Sequence, residues 1–313
     1  MIKMKKSQFQ FFFLICLCFA FCLIMGACSI QKLVISEITS MANKGLTAFE
    51  QDDDLEMLEK AMPANIKLLE TLLANSPKNT DLLILLSRLY AGYNFAFVES
   101  RLEMLELSKS SNLKAEKVLH QAVNRYYLKG AEYGMRALEA AYPNCRQIIN
   151  NVELFDSWLG SLSLNDVPAL FWYAFNLGAY VNQNIDSIKV IAKAHIAEKA
   201  MLRVLELDQN YSLGGAHLFL LAYYGSRTPL MGGNPDRALV HYQNLKCLNG
   251  NKYFLADLYY ARFYLHQKQE RREFIRVLKD LIENRKSWEQ YAFFNKVAVK
   301  RAKLYLNAVD QFF

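Results

Sequence analysis

From about Lys44 onward the apolar residues recur at three- and four-residue spacing, and no stretch shows sustained two-residue alternation bounded by turns. Leu82, Leu85, Leu86, Leu89 and Tyr93 form one such stripe; Ala197, Ala200, Met201, Val204 and Leu205 form another. This periodicity predicts an all-α chain. Asn234-Pro235-Asp236 places a capping Asn before a Pro at the first helical position. Ser287-Trp288-Glu289-Gln290 has capping-box spacing. Breaks are expected at Ser76-Pro77, Tyr142-Pro143, Asp208-Gln209-Asn210, Gly232-Gly233 and Asn249-Gly250.

The breaks separate similar blocks. Leu89-Tyr90-Ala91-Gly92-Tyr93, Leu221-Ala222-Tyr223-Tyr224-Gly225 and Leu258-Tyr259-Tyr260-Ala261 each follow a turn, and Phe171-Trp172-Tyr173-Ala174 resembles a fourth copy. Second helices lie between them, with Ala115-Glu116-Lys117 and Ala197-Glu198-Lys199 sharing a tripeptide. Leu205-Glu206-Leu207-Asp208-Gln209-Asn210-Tyr211 resembles the end of a tetratricopeptide repeat, whose standard length is about 34 residues. Here Pro77 to Pro143 is 66 residues, Pro143 to Asp208 is 65, and Asp208 to Gly250 is 42. The units are therefore expected to be stretched helical hairpins, stacked into a single elongated domain with a concave wall lined by first helices.

The N-terminus breaks this pattern. Lys3, Lys5 and Lys6 form a positive region, Phe11 to Met25 is an unbroken apolar run of 15, and Met25-Gly26-Ala27-Cys28 places small residues before a cysteine. That order is a secretory signal, and the run is shorter than the roughly 20 residues of a spanning helix. An uncleaved anchor and a bacterial lipoprotein signal both fit. In the second reading residues 1–27 are a signal peptide, Cys28 is lipidated, 28–43 is a tether and 44–313 the helical domain, so acyl chains on Cys28 hold the protein on a membrane. Cys16, Cys18 and Cys22 leave with the signal; Cys145 and Cys247 remain, as one disulfide or two free thiols.

Composition narrows the function. The chain has 313 residues, 53% hydrophobic and 21% charged, which excludes a disordered polar tail. The formal charge of +7 includes Lys3, Lys5 and Lys6, and the remainder is too thin an excess to indicate nucleic acid. HExxH, GxSxG, GxxxxGK[ST] and strand-linked GxGxxG motifs are absent. The five His (120, 195, 217, 241, 266) have no metal-ligand spacing, so neither an enzyme, a metal nor a cofactor is expected. Asp52-Asp53-Asp54 reads as a helix start.

The informative residues are polar groups inside apolar first helices: Asn94, Asn176 and His217. A buried polar group needs a partner, either across a helix contact or in a ligand cavity. The aromatics beside them, Tyr90, Tyr93, Phe97, Trp172, Tyr173, Tyr223 and Tyr224, allow the same two readings, but 18 Tyr is more than a dry core accommodates easily. Gly232 and Gly233 fit a positive-φ turn before the Asn cap, or a close backbone approach by a ligand. These twelve residues are the candidate ligand-binding set.

Several segments together resemble the TatT family, the lipoprotein T component associated with TRAP transporters. They begin at Phe49 and run through AMPANIKLLETLL (61–73), YAGYNFAFVE (90–99), LKGAEYGMRALE (128–139), AEKAMLRVLELDQNYSLGGAHLFLLAYYGSRTPLMGGNPDRALVHY (197–242) and NKVAVKRAKLYLNAVDQFF (295–313). Two positions depart from the family pattern: Asn234 stands for the usual Asp, and Leu177 for a frequent Trp before Gly178. The resemblance implies a periplasmic, membrane-tethered, all-helical protein of tetratricopeptide-like hairpins. It implies a homotrimer with a lined pore or cleft, and a partner in the periplasmic P-component solute-binding protein. It also implies that a small, hydrophobic ligand is held for or passed to that partner. Ser29 after Cys28 favours the outer membrane. The alternative is an interaction scaffold of the cell envelope that binds no ligand.

Overall fold

The three-and-four spacing is expressed as helix, and no strand occurs among the described residues. The computed structural model describes residues 34–108, 112–283, 286 and 288–313. Helix α1 spans 34–51 and so crosses the boundary drawn at 43/44. α2 (Leu55–Asn75) and α3 (Thr80–Glu106) follow, α3 containing a π-helical turn at Asn94–Val98. Next come α4 (Leu113–Ala141), α5 (Val152–Ser161), α6 (Val167–Asn182) and α7 (Ala194–Leu207). α8 (Tyr211–Gly225) and α9 (Pro235–Asn249) precede α10 (Phe254–Tyr259), which continues as a second π turn over Tyr260–Leu265. α11 (Arg271–Glu283) and α12 (Ala292–Asn307) complete the order. The proposed signal, Cys28 and the Ser287 cap lie outside the described residues.

Local chemistry accounts for the boundaries. Asp54, Asn79, Asn112 and Asn234 each accept a bond from the third backbone N–H beyond them, at Met57, Leu82, Ala115 and Arg237. The triple-Asp run is thus a helix start, as expected. All five expected breaks coincide with helix ends. Cys145 is buried beside Met135 and Cys247 is exposed, so both are free thiols.

α3 is long and apolar enough to cross a membrane, but 72% of its most apolar window is buried inside the protein, which marks it as a core helix. α4 and α6 approach it and each other closely because α4 carries glycines at 130 and 134. A Cβ on Gly130 would sit 2.3 Å from Asn176 Oδ1, and one on Gly134 would sit 2.8 Å from the Tyr173 backbone. α7 packs on α6, α8 on α9, and α10 on α12. The turn into α8 is left-handed at Ser212, Leu213 and Gly214, a conformation costly for two non-glycine residues.

Gly134→Ala is expected to destabilise the fold by about 1–3 kcal/mol, because backbone rather than a mobile side chain must yield. A Cβ on Gly160 would meet nothing within 4 Å. Gly160→Ala is expected to be neutral or stabilising by up to about 1 kcal/mol. Urea midpoints of the two variants check the contrast.

Candidate functional site

Four helices present similar stripes to one space. Phe95, Glu99, Glu103 and Glu106 face it from α3; Phe175, Ala179 and Gln183 from α6 and its end; Phe219, Tyr223 and Arg227 from α8 and its end; Tyr259, Arg262 and Phe263 from α10. Residues three or four apart share a helix face, so each stripe is a single face. The stripes of α3, α6 and α8 begin with an aromatic ring and end with a polar group. α4 contributes His120 and Tyr127, and α12 contributes Arg301 and Tyr305. Together they enclose a cavity of about 300 Å³.

The wall is shaped by close approaches. A Cβ on Gly178 would lie 2.2 Å from the Phe219 ring, so only glycine lets that ring reach the cavity. The π turn of α3 leaves the Phe95 carbonyl open to other donors. Arg301 Nη2 donates to it at 3.0 Å and Ser100 Oγ at 3.3 Å. The same guanidinium bonds Ser100 Oγ and pairs with Glu99 (2.9 Å) and Glu103 (3.2 Å). Tyr127 donates to Glu99 and Tyr305 to Glu103 (2.9 Å). Burial pushes the Glu99 carboxyl above its usual range, against the pull of Arg301. Glu106 shifts the same way, through burial and the nearby Glu103. The cavity acids are therefore largely engaged. Among the described residues no group of three or more His, Cys, Asp or Glu has the arrangement to hold a metal ion.

Of the twelve candidates from the sequence, Tyr223 lines this cavity and the other eleven do not. Asn94 Nδ2 donates to Val123 O of α4 (2.9 Å). Asn176 Nδ2 donates to Ser87 O (3.2 Å) on α3 and Trp172 O (2.8 Å). The amide oxygens of both are buried without a partner. His217 Nδ1 meets His241 Nδ1 of α9 at 2.9 Å. These three thus make helix-to-helix bonds. The Tyr90 hydroxyl donates to Glu70, that of Tyr224 to Glu198, and the Trp172 indole to Tyr211. Tyr93 packs on Phe97 and Tyr126, Phe97 on Phe293, and Tyr173 on the Gly134 face. Gly232 takes φ 86°, the turn conformation expected before the Asn cap, with its Cβ position 3.5 Å from the Tyr223 hydroxyl. Gly233 lies against the Arg227 carbonyl. Leu177, a departure from the family pattern, is buried and does not line the cavity.

Glu99, Glu103, Arg227, Arg262 and Arg301 are absent from the set that the sequence suggests. The signal for the first two is a Glu pair four residues apart, just after the apolar Phe95–Val98 stretch. The signal for Arg227 is a charge two residues after the glycine that follows the aromatic pair of α8.

Comparison with known proteins places these features. A family model described as TRAP transporter T-component (TAtT) matches residues 51–313. An uncharacterized protein of Treponema pallidum (strain Nichols) is 24% identical over 246 residues, covering 74% of this chain and 75% of its own length.

Removing Arg301 leaves two carboxylates facing each other in a buried space. Arg301→Met is expected to cost about 3–5 kcal/mol in denaturant unfolding. Adding Glu99→Gln and Glu103→Gln is expected to recover much of that loss.

The His217–His241 pair makes stability pH-dependent. Burial, then the neighbouring His217 and Arg237, lower His241 to about 4, and burial lowers His217 too. The unfolded chain therefore binds more protons than the native one between about 4 and the ordinary His value of about 6.5. The stabilisation is full above about 6.5 and is lost as pH falls toward 4, a swing of about 3 kcal/mol for His241. His241→Phe, which keeps the stack on Tyr224, is expected to flatten the stability profile over that window in urea titrations.

Proposed function

The chain belongs to the TRAP transporter T-component family, and we propose that it is the periplasmic, lipid-anchored accessory of a TRAP system that holds or passes a small ligand for the P-component solute-binding protein. The observation that carries this reading is the cavity of about 300 Å³, within the lower range of small-molecule sites. Its wall comes from α3, α6, α8 and α10, the first helices of the tetratricopeptide-like pairs expected from the sequence. Glycines at the helix contacts and an ion cluster behind Phe95 keep it formed. Lined by Phe, Tyr and a few charged groups, it suits a ligand with an apolar body. Cys28 is the proposed acylation site, the outer membrane the proposed location and a homotrimer the proposed assembly.

One feature favours the alternative of a scaffold that binds no ligand. The turn Pro229–Met231 holds Leu230 fully exposed and Met231 half-exposed, an apolar knob of the kind that docks on a protein partner.

Native mass spectrometry of the full-length chain, extracted from its own host's membranes, separates the two. The expected result is a trimer carrying a reproducible mass that is neither detergent nor acyl chain. Ala179 lines the cavity, so Ala179→Phe fills it without deleting a contact and is expected to abolish the added mass while keeping the trimer. A monomer with no added mass, even beside its P component, would favour the scaffold.

A further inference from the structure

The acids and bases of the cavity differ in how far they are satisfied. Glu99 and Glu103 share Arg301, and each also accepts a tyrosine hydroxyl. Arg227 and Arg262 have no carboxylate partner among the described residues. Arg227 is only 5% exposed. Its Nη1 donates to Tyr223 O (3.0 Å) and weakly to Ser226 Oγ (3.4 Å), and its guanidinium lies 4.2 Å over the Tyr223 ring. Its Nε is buried with no acceptor. Arg262, half-buried, contacts rings: Phe312 at 5.0 Å, Phe263 at 5.6 Å and Tyr305 at 5.8 Å. Glu198, which acts on Arg227 from α7, is already engaged by Tyr224 (2.6 Å) and Arg237 (3.6 Å).

A guanidinium taken out of water without an anion is costly. Burial accordingly lowers Arg227 from its ordinary value. Beyond Tyr223 O, the backbone of the turn is engaged with itself. Gly233 N bonds Thr228 O and Asn234 N bonds Tyr224 O. A Cβ at Gly233 would sit 1.8 Å from Arg227 O, and one at Gly225 would sit 2.9 Å from Phe263 O. These contacts pin the turn carrying Arg227 against α10, the helix of Arg262. Two carboxylate-free cations thus line one cavity, beside the Arg301 cluster, Glu106 and a set of Phe and Tyr rings.

We propose that this cavity binds an amphiphilic organic monoanion, its anionic head held by Arg227 with Arg262 as the second cation. Its apolar body lies along Phe95, Phe175, Phe219 and Phe263. The planar guanidinium of Arg227, bonded within the protein through Nη1 alone, suits a carboxylate or sulfonate oxygen. Glu106, the acid on the same cavity outside the Arg301 cluster, opposes a second negative charge. The proposal rests on the ligand-holding reading above and assigns it a head-group chemistry.

The test uses the full-length chain in phosphatidylcholine nanodiscs, with empty nanodiscs as the partition control. Calorimetric titration compares octanoate, octanesulfonate, 1-octanol and octyltrimethylammonium. The two anions are expected to bind at least about tenfold tighter than 1-octanol, the scale of a charge-assisted hydrogen bond, and the cation no tighter than 1-octanol. Arg227→Met is expected to erase that preference while 1-octanol still binds, and Arg227→Lys to restore part of it. Arg262→Met, at a less buried position, is expected to weaken the preference and keeps the test valid if Arg227→Met melts. Equal binding of all four probes, or an anion preference unchanged in Arg227→Met and Arg262→Met, overturns the anion anchor and leaves ligand holding intact. Binding of none by the wild-type chain overturns both.

Discussion

The fold closes on one buried cation. Arg301 comes from the last long helix, is 3% exposed, and meets groups about 200 positions earlier in the chain. It satisfies the Phe95 carbonyl released by the π turn of α3, the Ser100 hydroxyl, and the carboxylates of Glu99 and Glu103. Without it the two carboxylates would be buried with only tyrosine hydroxyls to offset their charge. The π turn and the arginine therefore depend on each other. The turn rotates Glu99 and Glu103 onto the face that meets α12, and α12 supplies the charge that makes their burial tolerable. Everything between the two helices is held inside that closure, including the cavity.

Close packing elsewhere makes the closure geometrically consistent. Glycines at 130, 134, 178 and 225 remove the one atom that would separate neighbouring helices. The space so gained goes to ring stacking, as where Phe219 lies over Gly178. Dense interiors transmit such choices, since a methyl group at these points must move a helix backbone, a ring or the Asn176 amide. The cavity is thus a space that the packing of α3, α6, α8, α10 and α12 leaves between them, rather than a surface loop feature. Both π turns border it, through Phe95 on α3 and Arg262 and Phe263 on α10.

Much of the fold is legible in the sequence. The stripes at Leu82 to Leu89 and Ala197 to Val204 are buried as their spacing predicts, and Asn234 caps α9 through the Arg237 amide. Those signals are local, needing only neighbours three or four positions away. The site is less legible because its determinants are not local. Arg301 looks like one basic residue in Lys300-Arg301 until the chain returns α12 to α3. The π turns have no signature in apolar periodicity, since one extra residue per turn shifts a stripe without interrupting it. Tyr223 stands out because it lies next to the aromatic and glycine signals. Arg227, four residues on, looks in the sequence like part of the turn that ends the helix.

The two classes of polar residue in these helices divide the work by what each costs to bury. Asn94, Asn176 and His217 carry no charge, so each stays buried on a carbonyl or imidazole partner at one end while the amide oxygens and His217 Nε2 go without one. They can sit deep between helices and fix the register of α3 on α4, α6 on α3 and α8 on α9. Charged groups cannot be offset that cheaply. Glu99, Glu103, Arg227, Arg262 and Arg301 therefore border an interior space where a counter-charge or solvent can reach them. Among these residues the neutral ones fix helix register and the ionic ones border the cavity. The same contrast separates Glu99 and Glu103, which have Arg301 beside them, from Arg227 and Arg262, which have no carboxylate partner among the described residues.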